Sequence, residues 1–377
     1  MNSWLELLIG AILGVIATRL LDKPIERHQR AFNYWLRGMI AKFRKINVIS
    51  VAQDEFRIGK WHVGWIIIEG SSSAPYIPNN IFCRVDPRPL VLPPDRQQKK
   101  DSIEEVQAQL EKANQRREFH NGATVALAGV ERGQIGYTEE PFLVLRLHPS
   151  DYYTFLATAM SLDEVILTDQ GKTTTVRDKY LRNLNYRYPI PEFASAISIN
   201  LSLITSDGFI VVSKRATEGI GGYQGYLVPP INECVNPISD RSADGTVSLL
   251  TTAQRGASQE LNIEITEDEL VFFTLGVDTH QYFYEVTGLI RSKSFSRDDI
   301  LARRSLGSKE RWESEQLYFL RHDVEEVAEF MRNISKTDKW TPGGFVCLTQ
   351  TLMVEFGTKA TEQALKKYPP VRSQYKL

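Results

Sequence analysis

Ser198–Arg215 reads SINLSLITSDGFIVVSKR, with apolar and polar residues alternating on both sides of Asp207-Gly208. Period-two alternation marks a strand, and an Asp-Gly pair between two such runs supplies the turn that folds them into a hairpin. A glycine-rich stretch with aromatics follows, GIGGYQGYLVPPINE (residues 219–233), then a loop from Cys234 to Thr246 and a helical stretch from Val247 to Leu261. Further strands are expected at Glu269–Val277, Gln281–Ile290 and SEQLYFL (314–320), then a short helix from Asp323 to Met331 and the closing WTPGGFVCLTQTLMVEFG (340–357). His280 falls on the turn between two of these strands, where a lone histidine is expected to be a surface or hydrogen-bonded residue.

Upstream the chain is β-rich, with strands expected at Trp61–Ile68, Ile81–Val85 and Pro89–Leu92 between proline-rich turns. The polar stretch Asp101–Glu118 carries Ile103, Val106, Leu110 and Ala113 at the spacing of an exposed amphipathic helix. Strands at Thr124–Val130 and Phe142–His148 precede a helix at Ser150–Leu162, and the aromatic, proline-rich RNLNYRYPIPEF (182–193) marks the expected domain boundary. With 377 residues, 42% hydrophobic and 24% charged, the composition is that of a globular protein of roughly two domains plus an extra segment. A net charge of -1 provides no general attraction for nucleic acid, and three scattered cysteines without a CxxC pair fit free thiols in a reducing compartment.

The extra segment is N-terminal. Residues 2–21, NSWLELLIGAILGVIATRLL, have the length of a membrane-spanning helix, with Glu6 and Arg19 near its ends. Eight basic residues against Asp22 and Glu26 follow between Arg19 and Lys45, which by the positive-inside rule places the bulk of the chain in the cytoplasm, single-pass on an inner or plasma membrane. Phe32, Trp35, Leu36, Met39, Ile40 and Phe43 form the apolar stripe of a basic amphipathic helix that lies on the inner leaflet or packs on the protein's own domain. Gly10 and Gly14 are a small-xxx-small pair through which two such spans could form a homo-oligomer.

The order of elements after Ser198 resembles a Nudix domain over roughly residues 195–360. In that family a loop and helix carry Gly, five spacers, Glu, seven spacers, then Arg-Glu-apolar-x-Glu-Glu-x-Gly-apolar. Glutamates on one helical face gather oxygens around Mg2+ or Mn2+, which neutralises a pyrophosphate and helps generate hydroxide. TAQRGASQELNI (252–263) keeps the arginine as Arg255 and the last glutamate as Glu260, but Gly256 and Gln259 replace the other two glutamates and Asn262 replaces the glycine. If Pro229-Pro230 stands for the family's Pro-Gly, Ile231 to Arg255 spans 24 positions in place of 14, an insertion of about ten, and Glu233 enters the site.

The resemblance implies an α+β fold, an α/β/α Nudix-like sandwich with a mixed sheet. The expected organisation is a transmembrane helix (1–22), a juxtamembrane helix (23–57), a β-rich α+β domain (58–190), the Nudix-like domain (195–360) and a C-terminal tail (361–377). Arg215 is placed to meet a phosphate, and Tyr223 and Tyr226 to stack a base, while Glu233, Arg255 and Gln259 complete the ligand set. Glu260 is the remaining metal ligand and, with Glu315, the candidate catalytic acid. Two functions follow. One is a membrane-anchored sensor or effector that binds a nucleotide or nucleoside-diphosphate derivative with impaired hydrolysis. The other is a metal-dependent hydrolase whose site is rebuilt from Glu233, Glu260 and Glu313 or Glu315.

Overall fold

The computed structural model describes residues 55–371 apart from 114–119, 137–139, 168–170, 172, 183, 218–221 and 309–312. The expected membrane span, the basic helix and the Gly10–Gly14 contact lie outside the described residues. Among the described residues, no helix is long and apolar enough to cross a membrane.

The strands are β1 (Glu55–Ile58), β2 (Trp61–Gly70), β3 (Ile81–Val85), β4 (Ala123–Ile135), β5 (Glu140–Asp151), β6 (Val165–Leu167), β7 (Thr173–Thr175), β8 (Ile197–Ile204), β9 (Phe209–Arg215), β10 (Leu227–Val228), β11 (Ile231–Cys234), β12 (Leu270–Asp278), β13 (Phe283–Arg291) and β14 (Ser314–Arg321). The helices are α1 (Pro94–Lys112), α2 (Tyr152–Ala157), α3 (Val176–Tyr180), α4 (Leu249–Gly256), α5 (Arg297–Gly307), α6 (Val324–Ile334), α7 (Pro342–Phe356) and α8 (Thr358–Lys367). The fold is α+β with mixed sheets. A nine-stranded sheet runs β1-β2-β12-β13-β8-β9-β10, with β11 added to β8 and β14 to β9. β13 and β8 are parallel, and the other pairs of this sheet are antiparallel.

The expected hairpin forms, with Gly208 at φ 80° in its turn. Its ladder is short: β8 meets β9 only at Leu203–Val211 and Ile204–Ile210, because Ser198 to Leu201 pair with β11 instead. β9 and β11 therefore diverge along one edge of β8. All eight residues of β8 are buried, Ile197, Ile199, Leu201 and Leu203 on one face and Ser198, Asn200 and Ser202 on the other. The polar half of the alternation is thus covered, and what covers it is α7, which is buried from Pro342 to Leu352. Polar groups there pair across the interface: Cys347 Sγ lies 3.4 Å from Ser202 Oγ, and Gln350 Oε1 accepts from Thr287 at 2.7 Å and Thr274 at 3.2 Å, while the buried Thr349 Oγ1 has no partner among the described residues. Burying such groups unpaired would cost roughly 1–3 kcal/mol apiece.

Four features depart from the sequence reading. First, the nine-stranded sheet crosses the boundary expected at 182–193, since β2 pairs with β12 from Gly70–Thr274 to Trp65–Asp278. Trp65 is fully buried and lies across Gly276 and Gly343, where a Cβ would stand 2.3 Å and 2.8 Å from its ring. The separate β3-β5-β4 sheet sits at the start of β8, where Leu127 N donates to Ala194 O at 2.9 Å. Second, Pro89–Leu92 forms no strand and leads into α1. Third, α1 starts at Pro94 and buries Arg96 and Gln107 while leaving Val106 exposed. Its rotation follows ion pairs of Arg96 with Glu164 (3.2 Å) and Lys100 with Asp151 (2.6 Å). Fourth, the expected tail begins within α8, whose Ala364 and Leu365 are fully buried.

A fragment beginning at Ser195 is expected to lack cooperative unfolding by circular dichroism, whereas the whole chain melts cooperatively, because β2 supplies core to that sheet. Within the whole chain, Trp65→Ala is expected to cost about 3–5 kcal/mol by urea denaturation. A fragment that melts with the whole chain would contradict this packing.

Candidate functional site

α4 continues through one π-helical turn, Ala257–Leu261, and ends at Asn262 in the left-handed conformation, φ 57°. Asparagine tolerates that conformation, so the helix stops where a glycine would stop it. The helix expected from the resemblance forms, with Gly256 and Gln259 at two positions where carboxylates would stand. Arg255 is tied within the protein: Nε and Nη2 meet the two oxygens of Asp240 at 2.6 and 2.9 Å, Nη2 reaches Cys234 O at 2.6 Å, and Nη1 lies 2.8 Å from Glu233 Oε1 and 3.1 Å from Gln259 Oε1. Burial works to lower the guanidinium's pKa, and the Asp240 and Glu233 carboxylates outweigh it, so the net shift is upward. Asp240 is fully buried and also accepts from Thr252 Oγ1 and Asn236 N, each at 2.8 Å. It lies in the loop between β11 and α4, and no spacing in the sequence singles it out. Gly256 packs against β11, where a Cβ would stand 2.9 Å from Ile231 Cγ2 and 3.1 Å from Glu233 Cβ. A glutamate there would have to displace the strand.

Between the diverging strands runs a hydrogen-bonded chain. Glu260 Oε1 accepts from Asn232 N at 2.9 Å, Asn232 Oδ1 accepts from Arg215 Nη1 at 3.2 Å, Asn232 Nδ2 donates to Asn200 Oδ1, and Asn200 Nδ2 donates to Glu285 Oε1 at 2.6 Å. Burial, then the Glu233 charge, raises the Glu260 carboxyl well above its usual range, against the pull of the Asn232 N–H. Burial also raises Glu313, opposed by Arg215. Glu285 is pushed up to about 8 by burial and by Asp278. Asp278 is itself raised by burial, and its carboxylate accepts from Tyr223 Oη and from His280 N at 2.8 Å. Tyr223 holds φ 60°, rare for a residue with a Cβ, and its ring lies 5.0 Å from that of Tyr226.

The structure thus brings Arg215, Glu233, Arg255, Gln259, Glu260 and Glu313 together around β11, with Tyr223 and Tyr226 on the adjoining loop. Glu315 does not join them; it is exposed and acts electrostatically on Lys214 and Tyr318. His280 lies in the β12–β13 turn, where Arg177 donates to the carbonyls of Thr279 (3.1 Å) and His280. Asn200, Asn232, Asp278 and Glu285 were not legible as site residues, because in the sequence they are the polar positions of ordinary strands. The residues do not fit the Mg2+ or Mn2+ that the resemblance implies: Glu233 is ion-paired, Glu260 is driven toward its neutral form, and Gly256 and Gln259 offer no carboxylate. Among the described residues, no group of three or more His, Cys, Asp or Glu side chains is placed to hold a metal ion.

No protein-family model matches the chain, and no curated protein matches it. Solved structures that overlap part of it include the following two. One is a Deinococcus radiodurans protein, 14% identical with a TM-score of 0.26, covering 50% of this chain and 96% of its own. The other is a MutT/nudix family protein of Enterococcus faecalis, 11% identical with a TM-score of 0.24, covering 53% of this chain and 95% of its own.

Two outcomes follow from the buried charges. Arg255→Met leaves Asp240 buried and unpaired, and urea denaturation is expected to show a loss of about 3–5 kcal/mol. For Glu285, the folded chain keeps a proton between the ordinary value of 4.5 and about 8 that the unfolded chain has released, so its contribution to stability falls as pH rises through that window. Glu285→Gln is therefore expected to match the parent at about pH 5 and to exceed it above pH 8 in urea midpoint. Parallel pH profiles for the two proteins would contradict this.

Proposed function

We propose that this protein binds a nucleotide or nucleoside-diphosphate derivative in a Nudix-like cleft between β9 and β11, as a sensor or effector with impaired hydrolysis. Residues 2–21 anchor it to the membrane in this reading. The observation that carries it is the fate of the signature helix: Arg255 is held by Asp240, Glu233, Gln259 and the Cys234 carbonyl, and Gly256 is packed against Ile231. Among the described residues, no group of carboxylates is placed to hold a metal ion, which supports binding over hydrolysis. Half-buried Arg215, oriented by Asn232, and Tyr223 and Tyr226, paired beside it, support the recognition part of this reading. A guanidinium oriented by a neutral amide keeps donors for phosphate oxygens, and tyrosine rings accept a base on their faces.

The test incubates the protein with ADP-ribose, NADH, dinucleoside polyphosphates and sugar nucleotides, with Mg2+ or Mn2+, following binding by calorimetry and products by chromatography. Binding without turnover is expected. Arg215→Ala should weaken it about 10- to 100-fold, the value of a charge-assisted hydrogen bond, while Glu260→Gln should leave it nearly unchanged. Turnover that disappears in Glu260→Gln would replace this reading with the metal-dependent hydrolase.

A further inference from the structure

β9, β10 and the segment entering α7 run side by side. Leu227 is opposite Lys214 on one side and Trp340 on the other. Backbone bonds join Arg215 N to Tyr226 O (2.9 Å), Leu227 N to Lys339 O (2.7 Å) and Thr341 N to Leu227 O (3.0 Å). One residue along, the same register aligns Arg215, Tyr226 and Lys339 in a row. Residues directly opposite on neighbouring strands share a face, and the Lys339 Nζ lies 5.6 Å from the centre of the Tyr226 ring. The register thus puts Arg215 on the strand to one side of Tyr226 and Lys339 on the segment to the other.

Both cations are half-buried, and among the described residues neither lies within ion-pair distance of a carboxylate. Their neighbours are different: Lys214 pairs with Asp338 at 2.9 Å, and Arg255 with Asp240 at 2.6 Å. The two cationic residues are two strand spacings apart, roughly 10 Å at the backbone, with the Arg215 guanidinium bonded to Asn232 Oδ1 at 3.2 Å and the Lys339 Nζ beside the Tyr226 ring.

We infer that Lys339 and Arg215 form a two-cation subsite for a diphosphate, with Tyr226 between them, and that Lys339 sets the preference for nucleoside diphosphates over monophosphates. This rests on the nucleotide-binding reading above. A monophosphate engages Arg215 alone, while a diphosphate spans both charges. Lys339 meets the ligand through its side chain only, as its backbone bond to Leu227 is independent of residue type.

The experiment is calorimetric titration of the full-length chain with ADP, AMP and inorganic pyrophosphate, for the parent, Lys339→Ala and Lys339→Arg, each verified as folded by circular dichroism. The parent is expected to favour ADP over AMP by about tenfold or more, the value of one added charge-assisted contact. Lys339→Ala should abolish most of that preference and weaken pyrophosphate while leaving AMP nearly unchanged, and Lys339→Arg should restore it. If Lys339→Ala keeps the preference, or weakens ADP and AMP equally, the assignment of Lys339 is overturned and nucleotide binding stands. If the folded parent binds none of the three, nor ADP-ribose, both readings fall.

Discussion

Polar groups placed between a sheet and the helix that covers it must be hydrogen-bonded there, and that requirement organises this molecule. β8, β12 and β13 send Ser198, Asn200, Ser202, Thr274, Asp278, Glu285 and Thr287 under or beside α7, all buried. α7 answers with Cys347 and Gln350, and Gly343 lets its first turn approach Glu285 so closely that a Cβ would stand 2.1 Å from the carboxylate. Trp65 of β2 fills the rest of that space by lying over Gly276. The first strands of the domain are thus part of the same core as the last helices. The polar network they enclose leads from Glu285 through Asn200 and Asn232 to Arg215.

Around α4, ion pairs and close packing give Arg255 and Gly256 a structural role. An arginine beside carboxylates is electrostatically at home whether or not a metal is involved. Here the buried Asp240 of the loop between β11 and α4 takes the guanidinium in two hydrogen bonds, and Glu233 and Gln259 share what remains. A bidentate pair of this kind is oriented as well as strong, so it fixes the loop to the helix. The close approach of Gly256 to β11 follows. Restoring one missing glutamate by substitution would then meet Ile231 before it met a ligand.

Much of this was legible in the residues. The turn at Asp207-Gly208, the helix ending near Leu261 and the strands around the His280 turn could be read from periodicity and turn chemistry, since each depends on neighbours in the chain. Register with distant strands could not: nothing in Trp61–Gly70 says that it will pair with Leu270–Asp278. α1 shows the same limit, as its apolar stripe predicts burial of Val106 while two ion pairs rotate it to bury Arg96 and Gln107. Of the candidate site, Arg215, Glu233, Arg255, Gln259 and Glu260 were found because they sit at or near a recognisable motif. Asp240 and Asn232 were not, because an acid in a loop and an amide in a short strand acquire meaning only when another element is packed against them.

In the proposed reading the protein binds a nucleoside-diphosphate derivative without a metal ion. The most direct measurement is calorimetric titration of ADP-ribose into the protein in EDTA and again in excess Mg2+, with the ligand recovered afterwards and examined by mass spectrometry. The account predicts the same affinity in both conditions and intact ligand in both. An affinity that requires Mg2+, together with recovery of AMP and ribose phosphate, would contradict it.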